Sequence, residues 1–367
     1  MKSSASLILS PLGVIYSAAT RARLAAYRRG WFSVSRLAAP VISVGNLTTG
    51  GTGKTPLVDW VCRVVAGRRA DARDEGSHEI TQGKKVCVLT RGYGKANPKL
   101  QVVVSNGTQL LAHEREAGDE PFLLARNLLG IAAVIANPDR IAAGEWAIEN
   151  LNSEAFVLDD GFQHLRLRRD LDIVTIDATN PFGGGSLLPY GRLREPLSGL
   201  SRAGCVVITR TEQVEDWARI KELVEQIAAR VPIFSSRMIA AGIRELDGTL
   251  DGTAVDNEKL LSQPLGAFCG VGNPESFFSH LRRENYSAAF NRAFPDHHRY
   301  QQSDIDALVA QARASGARAL ITTAKDAIKL AAFDFEIACY VLEIKIAIDD
   351  EEPLIKIIQD SCQNRKR

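Results

Sequence analysis

One stretch constrains this chain more than any other: Val41-Ile42-Ser43-Val44-Gly45-Asn46-Leu47-Thr48-Thr49-Gly50-Gly51-Thr52-Gly53-Lys54-Thr55-Pro56. A β-branched apolar run leads into a glycine-rich turn, then Gly-Lys-Thr, then a helix-compatible segment. Glycines let the backbone wrap with its N–H groups pointing inward, and the following helix adds its positive end, so the pattern cradles phosphate. Thr48, Thr49, Gly50, Gly51, Thr52, Gly53, Lys54 and Thr55 are therefore the expected phosphate-binding residues. Lys54 would reach the terminal phosphates of a nucleotide, and the Thr55 hydroxyl would ligate Mg²⁺. The strict pattern wants Gly where Thr48 stands; Gly50 and Gly51 supply the flexibility instead. The bland alternative is a glycine-rich turn with a chance Gly-Lys-Thr, and the strand before and helix after count against it.

Other short apolar runs end in Gly, Asn, Asp or Thr: 41–44, 86–89, 133–136, 156–158, 173–176 and 206–208. Their nearly continuous apolar character predicts strands buried on both faces. Helical stretches at 56–66, 120–129 and 141–150 separate them. That alternation predicts an α/β fold, a mostly parallel sheet covered by helices, whose ligands bind beyond the carboxyl ends of the strands. A second αβ region with strands near 267–269, 288–290, 319–321 and 340–342 puts a boundary near residue 232. Segments 233–237 and 339–346 are the candidate strands joining the halves, and a helix from 351 is expected to fold back on the first half. The polar stretch 69–85 reads as a solvated loop.

The 367 residues carry 45 Lys+Arg against 43 Asp+Glu, a net charge of +2, which argues against a whole-molecule footprint for nucleic acid. The six cysteines (62, 87, 205, 269, 339 and 362) form no CxxC pair and read as reduced thiols. Charge is nonetheless uneven. The first acid is Asp59, and before it stand Lys2, Arg21, Arg23, Arg28, Arg29, Arg36 and Lys54. The apolar segment from Leu7 to Tyr16 is too short and mixed to span a bilayer and only weakly like a signal peptide. A helix over 11–30, with Ser10 as cap and Pro11 in its first turn, would put Leu12, Ile15, Tyr16, Ala19 and Ala26 on one face. Two readings stand: a basic interfacial helix on an anionic membrane, or a surface helix packed on its own domain.

Further motifs carry chemistry. Phe156-Val157-Leu158-Asp159-Asp160-Gly161-Phe162-Gln163-His164 is an apolar run ending in two acids, where a Mg²⁺ ligand belongs in a phosphate-loop protein. Adjacent carboxylates repel, which favours a cation; a plain strand-end turn is the alternative. Asp119, in Gly118-Asp119-Glu120-Pro121, either caps a helix or takes a proton from an attacking hydroxyl beside the phosphates. Phe294-Pro295-Asp296-His297-His298-Arg299-Tyr300 holds tandem histidines. Strand neighbours point apart, so a metal pair is the weaker reading and one catalytic imidazole the stronger, against a surface pair. Gly191-Arg192-Leu193-Arg194-Glu195-Pro196 offers arginines for a substrate phosphate or is a solvated loop. Thr322-Thr323-Ala324-Lys325-Asp326 closes over the nucleotide or caps a helix.

In this order, these six motifs resemble the lipid A disaccharide kinase (tetraacyldisaccharide 4′-kinase) family over nearly the whole chain. Arg91-Gly92-Tyr93-Gly94 and Gly270-Val271-Gly272-Asn273-Pro274-Glu275-Ser276-Phe277-Phe278 share in the resemblance. Thr48 is usual in that family; Ala324, where Glu is common, is a minor departure. The resemblance implies transfer of the γ-phosphate of ATP, with Mg²⁺, to the 4′-hydroxyl of a tetraacylated glucosamine disaccharide 1-phosphate, forming lipid IVA. It implies a peripheral enzyme on the cytoplasmic face of a Gram-negative inner membrane, meeting an anionic surface. It also implies a P-loop NTPase-type domain with helices on both faces of its sheet and a smaller αβ domain joined by a two-stranded hinge, here 1–232 and 233–367. By position, Lys54 and Thr55 match the phosphate-loop lysine and metal threonine, Asp119 the general base and His297 its partner. Asp159 and Asp160 match the acidic pair at the metal; Gln163, His164, Arg194 and Glu195 match residues lining the substrate. No obligate protein partner is inferred.

The rival class is a phosphate-loop ATPase that switches a protein partner. It would use Lys54, Thr55 and Asp159, but it would need neither the basic N-terminus nor a histidine from the second half. A binding module without catalysis has no use for Lys54, the acidic pair and Asp119 together.

Overall fold

The computed structural model describes residues 4–68, 83–247 and 252–363. Lys2, most of the expected loop at 69–85 and residue 364 lie outside the described residues, as does the side chain of Leu12. Among the described residues, twelve strands form the sheet: β1 (Val41–Asn46), β2 (Val86–Thr90), β3 (Val102–Ser105), β4 (Ala132–Ala136), β5 (Ala155–Asp159), β6 (Leu171–Asp177), β7 (Cys205–Thr209), β8 (Ile233–Glu245), β9 (Leu265–Cys269), β10 (Ala288–Ala293), β11 (Ala319–Thr323) and β12 (Cys339–Ile348). Their spatial order is β10-β9-β11-β12-β8-β7-β6-β1-β5-β2-β4-β3. All pairs are parallel except β3 with β4 and β12 with β8.

The helices are α1 (Ser4–Arg28), α2 (Lys54–Val65), α3 (Glu114–Ala117), α4 (Asp119–Asn127), α5 (Arg140–Leu151), α6 (Ala218–Ile227), α7 (Asn257–Leu261), α8 (Pro274–Arg283), α9 (Gln302–Ser315), α10 (Ala324–Leu330) and α11 (Glu351–Gln363). Successive strand residues point to opposite faces, and the two cores follow that rule. Ile42, Val44, Val157 and Ile173 join Leu57 and Val61 of α2 and Leu124 of α4. Val41, Phe156 and Leu158 face Ala143 and Ala147 of α5. Leu354 and Ile358 of α11 are fully buried in the first cluster, at about 1.5–3 kcal/mol each. The terminal helix therefore returns to the sheet half that holds β1.

In the other half, Phe277, Phe278 and Leu281 of α8 pack on one face of β9 and β11. Ile305, Leu308 and Val309 of α9 pack on the opposite face. β8 belongs to both halves. Its first residues pair with β7 (Val206↔Ile233), and its remainder runs antiparallel to β12 from Ser236↔Ile348 to Glu245↔Tyr340.

The amino-terminal helix departs from expectation. It spans Ser4–Arg28, so Ser10 and Pro11 lie inside it rather than at its cap; a 25-residue helix absorbs the one hydrogen bond that a proline removes. The expected apolar face is also divided. Ala26 is buried, and the Tyr16 hydroxyl donates to the Arg194 carbonyl at 2.9 Å, while Ile15 and Val14 are exposed. The helix lies against the carboxyl edge of the sheet, which uses one flank of it.

Candidate active site

β1 ends at Asn46, whose amide shapes the phosphate loop. Its Nδ2 donates to the Thr48 carbonyl at 2.8 Å, and its Oδ1 accepts from Lys54 Nζ at 3.0 Å. Thr209 Oγ1 donates to the Thr52 carbonyl at 3.0 Å, and Arg210 donates to the Gly51 carbonyl at 2.8 Å. Gly53 begins α2 from a left-handed conformation (φ 74°), and a Cβ there would come within 2.6 Å of the Met238 methyl. The left-handed backbone favours glycine there. Loop residues 48–52 line a cleft of about 460 Å³, closed on the far side by Gly272, Asn273 and Ser276 at the start of α8. Asn273 caps that helix by accepting from Ser276 N at 3.3 Å.

β5 delivers the two acids to the same edge, and their environments differ. Asp159 is buried and accepts from Thr90 Oγ1 at 2.9 Å. Burial, with Glu120 and Asp160 nearby, pushes its carboxyl up to about 6 against the opposing pull of Lys54. Asp160 takes a left-handed backbone (φ 54°), which turns its side chain toward Lys54 (3.2 Å) and Arg194 (2.6 Å). Burial raises its pKa, but these two cations outweigh it and hold the carboxyl below its usual range. Asp160 is thus neutralised by protein cations, whereas Asp159 lacks a full counter-charge.

Gln163 Nε2 donates to the Asn46 carbonyl (2.9 Å) and to Glu195 Oε1 (2.7 Å). Glu195 is buried against Arg202 at 2.7 Å, and Arg202 stacks on Phe162. His164 is pushed down to about 4 by burial and by Arg140 and Arg169, so it is neutral. Among the described residues, its Nε2 and the Nε of buried Arg140 have no hydrogen-bond partner. Both side chains open on a cavity of about 700 Å³, also lined by Arg23, Arg91 and Arg194 and roofed by Tyr16 and Leu24 of α1. All four residues expected to line a substrate, Gln163, His164, Arg194 and Glu195, meet here.

α4 opens at Asp119, after Gly118 (φ 90°) at its cap. Asp119 therefore does not cap the helix. Its Oδ2 lies 3.2 Å from His297 Nδ1 and 3.5 Å from Lys329 Nζ. Burial raises the Asp119 pKa, but the His297 hydrogen bond and Lys329 outweigh it, and the carboxyl sits below its usual range. His297 is raised by Asp119, against burial and Lys325. The tandem histidines diverge, since His298 stacks on Phe294 and pairs with Asp304 at 3.0 Å. They form no metal pair, and among the described residues no group of three or more His, Cys, Asp and Glu could hold an ion.

The motif at 322–326 does cap a helix. Thr323 Oγ1 accepts from the Asp326 amide at 3.1 Å. It also sends Lys325 across to Glu120 at 3.0 Å. Asn46, Arg140 and Lys329 join the site without being expected there, and Lys325 joins it from the motif expected to close over the nucleotide or cap a helix. Asn46 and Arg140 sit just beyond apolar runs whose sequence marks only strand ends. Nothing in the sequence brings Lys325 to Glu120 or Lys329 to Asp119.

Residues 5–363 match the family Tetraacyldisaccharide-1-P 4′-kinase. The chain is 40% identical over 348 residues to the tetraacyldisaccharide 4′-kinase of Geobacter metallireducens, covering 95% of each chain. It is 41% identical over 317 residues to that of Anaeromyxobacter dehalogenans, covering 86% of this chain and 79% of that one. The crystal structure of LpxK from Aquifex aeolicus in complex with ATP is 30% identical, with a TM-score of 0.75, covering 97% of this chain and 99% of that chain.

Proposed function

The chain belongs to the tetraacyldisaccharide-1-P 4′-kinase family, and from that premise we propose how its residues move the γ-phosphate of ATP to the 4′-hydroxyl of an acylated disaccharide 1-phosphate. Phosphoryl transfer needs positioning and charge neutralisation more than covalent chemistry. The amides of residues 48–55 and the amino end of α2 hold the phosphate tail. Lys54 exchanges Asp160 for phosphate oxygens, while Asp160 stays with Arg194. Asp119 accepts the sugar hydroxyl proton, and His297 orients it. Arg140, Arg194, Gln163, His164 and Glu195 shape the sugar-phosphate cavity. The observation that carries this reading is the 3.2 Å Asp119–His297 contact, made across the cleft by residues 178 apart in sequence.

Mg²⁺ fits the donor set. Thr55 opens α2 beside the phosphate loop, and Asp159 is a buried carboxylate crowded by like charge. Mg²⁺ typically takes one or two carboxylates plus phosphate oxygens rather than a protein cage. When bound, the ion neutralises charge on the β- and γ-phosphate oxygens. In this reading Asp159 is the acid that faces it, because Asp160 is already paired.

Residues 1–232, joined by α11, form the phosphate-loop domain; the remainder forms a smaller domain that closes by bending at β8 and β12. Closure excludes water and limits wasted ATP hydrolysis. Phosphate transfer to purified acylated disaccharide 1-phosphate should fall roughly 10²-fold or more in Lys54→Ala. Strong ATP turnover without lipid would favour the switch ATPase instead, and equal transfer rates in the two proteins would remove Lys54 from the mechanism.

We also propose that α1 docks the enzyme on the cytoplasmic face of the inner membrane. No helix among the described residues is long and apolar enough to cross a membrane. Val14, Ile15, Trp31 and Phe32 are exposed, and Arg29 stacks over Trp31 at 5.2 Å. Apolar anchors beside basic residues favour an anionic leaflet, at about 1 kcal/mol per Lys or Arg. Deleting residues 1–30 should weaken sedimentation with anionic vesicles by about 10-fold or more. If the shortened protein sediments equally, the helix is not the anchor.

A further inference from the structure

We propose that Lys325 is a positioning residue that ties the two halves together at the Asp119–His297 pair and fixes the imidazole tautomer; this rests on the catalytic role proposed for that pair. The Lys325 ammonium lies 3.0 Å from Glu120 Oε1 on α4. It lies 3.3 Å from Asp296 Oδ1 and 3.5 Å from His297 Nε2, both on the segment after β10. One largely buried cation thus joins three elements from both sides of the cleft. Without it, Glu120 and Asp296 would bring two uncompensated carboxylates toward the pair.

The placement of Lys325 is built in. Asp326 is fully buried and accepts from Gly270 N (2.9 Å), Thr323 Oγ1 (2.8 Å) and Tyr300 OH (3.1 Å). These bonds fix the start of α10. Lys325 and Lys329 then stand one helical turn apart, on the side that meets Glu120 and Asp119.

An ammonium has only donors. Facing Nε2, it favours the imidazole with its lone pair there and its proton on Nδ1, which then donates to Asp119. His297 also holds a left-handed backbone (φ 59°), a conformation that persists only when its surroundings enforce it. The charged groups around His297 are Asp119 and Glu120 from α4, Asp296 from its own segment and Lys325 from α10. Lys329 reaches Asp119 instead.

The test uses the full chain with Lys325→Met, Lys325→Arg, Glu120→Gln and His297→Asn. Lys325→Met should lower kcat about 10- to 100-fold with the KM for ATP within about twofold, the scale expected of misalignment. Lys325→Arg should recover part of the rate. Glu120→Gln, which cuts the same link from the other side, should lower kcat in the same direction. NMR of the imidazole nitrogens should show the His297 titration midpoint rising in Lys325→Met, which a purely structural role would not cause. A folded Lys325→Met protein with wild-type kcat, or an unmoved His297 midpoint, would overturn the inference while leaving an impaired His297→Asn to support the pair. Wild-type kcat in His297→Asn would overturn the pair itself and the inference with it.

Discussion

Asp119→Ala should lower kcat by roughly 10²–10⁴-fold, the usual contribution of a positioned base, while ATP affinity holds within a few-fold. The carboxylate contacts His297 and Lys329, and no loop residue from 48 to 55 bonds to it. Removing it therefore spares the phosphate cradle. The pH dependence has a definite sign. Asp119 is held below the ordinary aspartate value of 3.8, so its link to His297 persists above that value and is lost as pH falls through the lowered pKa. His297 is raised above 6.5, so its charged partnership is complete below 6.5 and is lost as pH rises through the raised value. In Asp119→Ala the His297 midpoint should fall. A greatly raised KM for ATP with kcat unchanged would show that Asp119 belongs to the nucleotide site and not to the base.

Asp159→Asn should move activity and stability in opposite directions. The buried carboxyl is raised to about 6, so the folded state resists its ionisation. Stability then falls as pH climbs from about 4 through 6. At about 1.4 kcal/mol per pH unit the cost is on the order of 3 kcal/mol at neutral pH. Asparagine removes the charge and can still accept from Thr90. The variant without nucleotide should melt several degrees higher at pH 7.5, an advantage that disappears near pH 4. Phosphate transfer should nonetheless fall at least about 10²-fold, because the acid proposed to face Mg²⁺ is gone. A lower melting temperature, or full activity at ordinary Mg²⁺, would remove Asp159 from that role.

The strands are legible because burial on both faces writes an apolar run ending in Gly, Asn, Asp or Thr. The runs at 41–44, 86–89 and 156–158 form β1, β2 and β5. β3 carries a similar mark, Val102-Val103-Val104 ahead of Ser105-Asn106-Gly107, yet is not among the expected strands. It is a four-residue antiparallel edge strand, half-buried at Val102 and Val103. The phosphate loop is legible because its function is local: backbone wrapping needs glycines at fixed spacing. Arg140, Lys325 and Lys329 are not, because their meaning comes from neighbours supplied by other strands. The start of α1 escapes local reading because Ser10-Pro11 is a strong cap signal that the longer helix overrides. Its apolar face is equally hard to read, since that face both seals the cleft and meets solvent.

The pairing of Glu245 with Tyr340 gives the chain a particular topology. The β9–β11 half is an insertion whose entry and exit stand side by side, already joined by hydrogen bonds. The closure proposed above would therefore need no segment to be re-threaded. The proposed closure would then be that of a flap on a ribbon two strands wide, and the bulge between Glu343 and Ile344 marks where that ribbon is least regular.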